Sequence, residues 1–69
     1  MPLIMVNTGE SGIITRIEGK KEVRQHLENL GFVVGALVEV ISKNAGGLIV
    51  QVKDCRVALS SELACKIML

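Results

Sequence analysis

Cys55, Cys65 and His26 are the side chains of this chain best suited to chemistry, since two thiols and one imidazole could hold a soft metal ion or supply a nucleophile and its base. Their spacing argues against either role. The cysteines stand ten residues apart with no C-x-x-C pattern, and the one histidine follows Arg24 and Gln25 on a predicted helix, away from its apolar stripe. Strand parity turns Cys55 toward the core, where a free cysteine packs as a small hydrophobe, and the same packing is expected of Cys65. A disulfide is not expected in a reducing cytosol. The carboxylates Glu10, Glu18, Glu22, Glu28, Glu39, Asp54 and Glu62 are scattered rather than paired, so acid–base work by two facing carboxyls has no basis. The glycine runs G-E-S-G and A-G-G lack the Lys-Ser/Thr ending of a phosphate loop and read as turns. The residue types thus imply no catalytic group, no metal site and no cofactor.

Charge and composition remove further classes. Eight basic and seven acidic residues leave a net +1, too little for the phosphate attraction that nucleic-acid binders use, and Phe32 is the only aromatic ring on which a base could stack. The same lack of rings excludes a groove for proline-rich peptides. Arg16, Lys20, Lys21 and Arg24 form the one basic cluster and read as a solvated helix start. The N-terminus MPLIMVNTGE has neither a positive leader nor a long apolar run, and the longest uncharged apolar stretch, Leu30 to Val38, is far below the roughly 20 residues of a membrane span. A cytoplasmic location without direct membrane insertion is expected. With 69 residues, 49% of them hydrophobic, the chain suffices for one domain, residues 1–69, around one core.

The elements that must position any surface follow from periodicity. Val23, Leu27 and Leu30 recur at i, i+4 and i+7, so they form one stripe of a short helix, and Gly31 ends it with Phe32 poised to fold back on the last turn. Gly35 provides a second bend before a strand. Leu48, Val50 and Val52 alternate on one strand and Cys55, Val57 and Leu59 on the next; a two-residue turn at Lys53-Asp54 pairs Val52 with Cys55, Val50 with Val57 and Leu48 with Leu59. A loop from Lys43 to Gly47 sets Val40 against Val50 and Val38 against Val52. Ile14 and Ile17 break simple alternation and predict a bulge or bend near Thr15 and Arg16. Ser60 is placed to cap a helical turn through Ser61, Glu62 and Leu63. The tail Lys66 to Leu69 then returns as a strand expected to pair with Leu3 to Val6 and close the molecule. This is a mainly β chain: a small SH3-like barrel, with one short α-helix between the first strands and the meander and a helical turn before the last strand.

The run Arg24, Leu27, Leu30-Gly31-Phe32, Gly35 and the alternating valines after it resembles the FeoA-type domain of bacterial ferrous iron transport, which also occurs at the C-terminus of metal-dependent repressors. Gly9, Gly12, Ile14 and Ile17 resemble that family's opening G-x-x-G-x-I-x-x-I. Gly46-Gly47, Ile49 to Val52, Ala58-Leu59, Ala64 and Ile67 resemble its closing half. The chain departs from the family at Val34, Cys55 and Ser60, where a proline, an aromatic and a basic residue are common. The resemblance implies a cytosolic accessory or regulatory protein that docks on the cytoplasmic GTP-binding part of the membrane ferrous iron transporter (FeoB-like). The alternative is a small metal-binding module using Cys65 and His26, or a repressor-associated interaction module. For partner contact the candidates are Arg24, Leu30, Phe32, Val33 and Val34, an aliphatic surface at the helix end; weak homo-oligomer formation through strand edges or the apolar loop stays open.

Overall fold

The helix end around Gly31 is the local feature on which the rest of the arrangement turns. In the computed structural model, which describes residues 1–69, α1 spans Lys21–Asn29 with Leu30 as its C-cap. Gly31 takes φ 106°, the Gly31 N–H donates to the Glu28 carbonyl at 2.9 Å and the Phe32 N–H donates to the Leu27 carbonyl at 3.0 Å. These two bonds are the Schellman pair, which satisfies carbonyls the helix leaves open and folds the next apolar side chain back on the last turn. Leu27 and Phe32 are both fully buried.

The rest of the chain is built mainly from six strands. β1 (Ser11–Ile13), β3 (Leu37–Asn44), β4 (Gly47–Val52) and β5 (Cys55–Ser60) form an antiparallel sheet in the order β1-β3-β4-β5. The expected register holds throughout the β4–β5 hairpin, with Val52 opposite Cys55, Val50 opposite Val57 and Leu48 opposite Leu59. Val38 and Val40 lie opposite Val52 and Val50, and all four are buried. The β3–β4 connection is tighter than expected. Asn44 pairs directly with Gly47, and a bulge between Val40 and Ser42 absorbs the extra residue. Gly47 cannot be replaced without moving the sheet, because a Cβ there would sit 2.0 Å from the Leu59 carbonyl oxygen.

The predicted bend is the point at which the chain changes sheets. β1 ends at Ile13, and β2 (Arg16–Ile17) joins β6 (Ile67–Met68) in a separate two-stranded sheet. Before β6, α2 (Ser61–Ala64) starts as expected at Ser60, whose Oγ accepts from the Leu63 N–H at 3.3 Å.

Two expectations are corrected. The tail does not pair along Leu3 to Val6: Leu3–Met5 is a turn of 3₁₀ helix, which puts Leu3 and Val6, three residues apart, into the core together, a spacing a strand would split between its faces. β6 pairs with β2 instead, and the N-terminus adds a single bridge between Pro2 and Met68. The two sheets therefore do not close into one continuous ladder. Cys55 has the predicted parity but is exposed, because β5 is the last strand of its sheet and nothing packs over its turn end; Cys65, at the C-cap of α2, is exposed as well.

Candidate interaction surface

Five large apolar side chains stay exposed: Met1 and Met5 in the N-terminal segment, and Ile13, Val34 and Leu37 around the start of the large sheet. Ile13 and Leu37 are directly opposed in the β1–β3 register and are 50% and 57% exposed; Val34, in the loop leading into β3, is 66% exposed. The loop is held there by its backbone: the Ile14 N–H donates to the Ala36 carbonyl at 2.9 Å, and the Gly35 N–H donates to the Ile14 carbonyl at 2.8 Å. With φ 93°, Gly35 makes the turn that returns the chain to β1. The patch is thus mounted on paired strands rather than on a free loop.

The same sheet face continues as a polar row. Ser11, Glu39, Gln51 and Arg56 are register partners across β1, β3, β4 and β5, and the Arg56 Nε donates to the Gln51 Oε1 at 3.2 Å. Between the two rows lies a shallow groove lined by Ala36, Leu37, Glu39, Gln51 and Lys53. An aliphatic cluster beside alternating acid, amide and base is chemistry for holding a protein surface: the apolar centre gains by losing water and the charged rim fixes orientation.

Of the five expected contact residues, Arg24 and Val34 present exposed side chains, while Leu30 and Val33 are half-buried. Phe32 is corrected outright. The Schellman turn folds it under the helix to zero exposure, so it holds the fold and offers nothing to a partner. Ile13 and Leu37 were missed. Leu37 shares the parity of Glu39, which signals an outward position, but it stands in an apolar run that reads as core; Ile13 is hidden by the bend that sends its neighbour Ile14 inward.

The chemistry-bearing residues do not assemble. His26 is exposed on α1, Cys55 begins β5 and Cys65 follows α2, and no three His, Cys, Asp or Glu side chains converge on a point that could hold a metal ion. Arg16 is ion-paired with Glu18, both largely solvated. No helix is long and apolar enough to cross a membrane.

Comparison with known proteins follows the same outline. The sequence pattern of the FeoA domain matches residues 1–69. A candidate Fe(2+) transport protein A of Methanocaldococcus jannaschii is 31% identical over 67 residues, covering 97% of this chain and 82% of that protein. The crystal structure of an iron uptake regulatory protein, FeoA, superposes with a TM-score of 0.91 at 31% identity, covering 97% of this chain and 91% of the other. FeoA of Stenotrophomonas maltophilia, solved with zinc and described as a procaryotic SH3 domain protein, superposes at 0.85 with 26% identity over 99% of this chain and 87% of its own. A manganese-dependent transcriptional repressor carries the same fold in 39% of its length, at 21% identity and a TM-score of 0.90.

Proposed function

This chain belongs to the FeoA family of ferrous iron transport accessory proteins, and from that premise we propose that it regulates iron uptake from the cytoplasm by docking on the cytoplasmic GTP-binding part of the membrane transporter. The contact surface in this reading is the patch of Ile13, Val34 and Leu37 with the polar row beside it. Its supporting observation is that Ile13, Val34 and Leu37 stand half or more exposed around the start of the large sheet, where Ile13 and Leu37 are paired; the other large apolar residues as exposed, Met1 and Met5, lie in the N-terminal segment. Exposed apolar clusters rimmed by polar groups mark interaction surfaces. Arg24 lies on the outward side of α1 and serves in this reading as a flanking charge.

The metal-binding alternative gains no specific observation from the arrangement of His26, Cys55 and Cys65. The test of docking is calorimetric titration of this protein into the isolated GTP-binding part of the transporter. Val34→Asp and Leu37→Asp place a charge where the contact would lose water, and each is expected to weaken binding by roughly tenfold or more, about 1.4 kcal/mol, with the unfolding midpoint unmoved. Unchanged affinity in both variants would sink the surface; no binding by the unaltered protein would sink docking itself.

A further inference from the structure

β5 is an outer strand whose free side carries hydrogen-bonding groups that no part of the chain satisfies. Val52 and Cys55 close the two-residue turn, so Cys55, Val57 and Leu59 direct their N–H and C=O groups toward β4, while those of Arg56 and Ala58 point away from the sheet. Neither Arg56 nor Ala58 donates a backbone hydrogen bond to any loop or turn, and both residues are exposed. On the core side the same edge is unfinished, with Val57 half-buried and Cys55 exposed. The opposite outer strand differs. β1 has only three residues, and just past it the chain passes into the second sheet, where the Thr15 N–H donates to the Met68 carbonyl at 2.8 Å.

We propose that β5 pairs antiparallel with β5 of a second copy about a two-fold axis through Val57, joining two four-stranded sheets into one. An antiparallel edge is complementary to its own two-fold image, and the residues of β5 select this register. Arg56 then exchanges backbone hydrogen bonds with Ala58 of the second copy, and Asp54 lies opposite Ser60, so no like charges face each other. A register centred one residue nearer the turn would set Arg56 against Arg56. On the core side Val57 meets Val57 and Cys55 meets Leu59, which covers the side chains the edge leaves open. Arg56, a charge of the kind that guards outer strands, is no obstacle: its guanidinium lies on the outer face with Gln51, and its new neighbour is the small Ala58. One strand edge per copy buries less than the roughly 1,200 Å² of a stable interface, so the dimer is weak and concentration-dependent.

Cross-linking tests the pairing and its register together. Val57→Cys, in a chain also carrying Cys55→Ser and Cys65→Ser, places one thiol per copy on the axis, in a non-hydrogen-bonded pair with Cα atoms about 4.5 Å apart, within disulfide reach. Mild oxidation is expected to give a disulfide dimer. Adding Ala58→Pro removes an N–H that faces outward and is tolerated on an outer strand; it is expected to slow cross-linking to the rate of random collision, with an unchanged unfolding midpoint and unchanged maleimide reactivity. Where the proline variant fails the folding check, Ala58→Lys takes its place, keeping the N–H but setting an ammonium beside Arg56 of the second copy, with the same loss expected. A chain whose only thiol is the native Cys55 is the register control, since the two sulfurs would then be attached about 14 Å apart and should not cross-link. Cross-linking at Val57→Cys that is no faster than in the blocked variant, or faster cross-linking through Cys55, would overturn the proposal.

Discussion

The exit of α1 and the β4–β5 hairpin each turn on one left-handed residue, Gly31 at φ 106° and Lys53 at φ 54°, yet Phe32, next after the first, is sealed and Cys55, two residues after the second, is open. Phe32 has zero exposure; Cys55 is exposed. Local geometry does not make the difference, since both residues point toward the core side of their element. What differs is the matter beyond them. Phe32 folds back under α1 into the cluster containing Val38, Val50 and Val52, whereas Cys55 sits at the turn end of an outer strand with no neighbour on its far side. Direction is set by the backbone, but burial needs a second layer.

The sharpest way to break this contrast is Phe32→Ala. Removing the one ring from a core of aliphatic side chains costs about 3–5 kcal/mol, a large share of the about 5–15 kcal/mol that holds a small domain. Urea denaturation is expected to show a chain that is largely unfolded in buffer or has a midpoint near zero denaturant. A midpoint close to that of the unaltered protein would mean that Phe32 is not the keystone of the helix end. Loss of partner binding by this variant would report unfolding and would carry no information about a docking surface.

Next in size is Gly31→Ala, which keeps the ring and disturbs only the turn that buries it. There is room for the added methyl group, whose nearest neighbour would be the Val52 Cγ1 at 3.6 Å, so the cost is that of holding an L-residue left-handed, about 1–2 kcal/mol. For a chain of this size that is a fall in Tm of about 4–8 °C for each kcal/mol. No fall at all would mean that Phe32 is buried by the core's demand alone and that the Schellman turn merely accompanies it.

The same contrast explains which parts of the fold were legible in the residue order. Registers of β3, β4 and β5 follow from valines at alternate positions, because one misplaced step would put all of them in water. The helix, its glycine stop and the Ser60 cap are likewise local events fixed by a few adjacent residues. The partner of the C-terminal strand was not legible. Ile67 and Met68 would alternate equally well against either segment, and the 3₁₀ spacing that sends Leu3 and Val6 inward stands beside a bridge between Pro2 and Met68, residues at opposite ends of the chain. The candidate surface was half legible for a related reason: Val34 stands out beside Gly35, but the outward positions of Ile13 and Leu37 depend on where the sheet ends.

The smallest effect is expected at Cys55→Ser, and it tests the open half of the comparison. A thiol inside the core would resist this exchange, since a buried hydroxyl without a partner costs about 1–3 kcal/mol. At the exposed end of β5 the hydroxyl stays in water and the strand keeps every backbone bond to β4, so the change should lie within about 0.5 kcal/mol. Thiol labelling reads the same point kinetically. In a Cys65→Ser background, and at dilutions where the weak β5–β5 dimer has dissociated, Cys55 should react with a maleimide in the native protein nearly as fast as in urea, because no opening of the core is needed to reach it. A native rate slowed by orders of magnitude, together with a measurable loss of stability in the serine variant, would place Cys55 under a layer, and β5 would then no longer be a free edge.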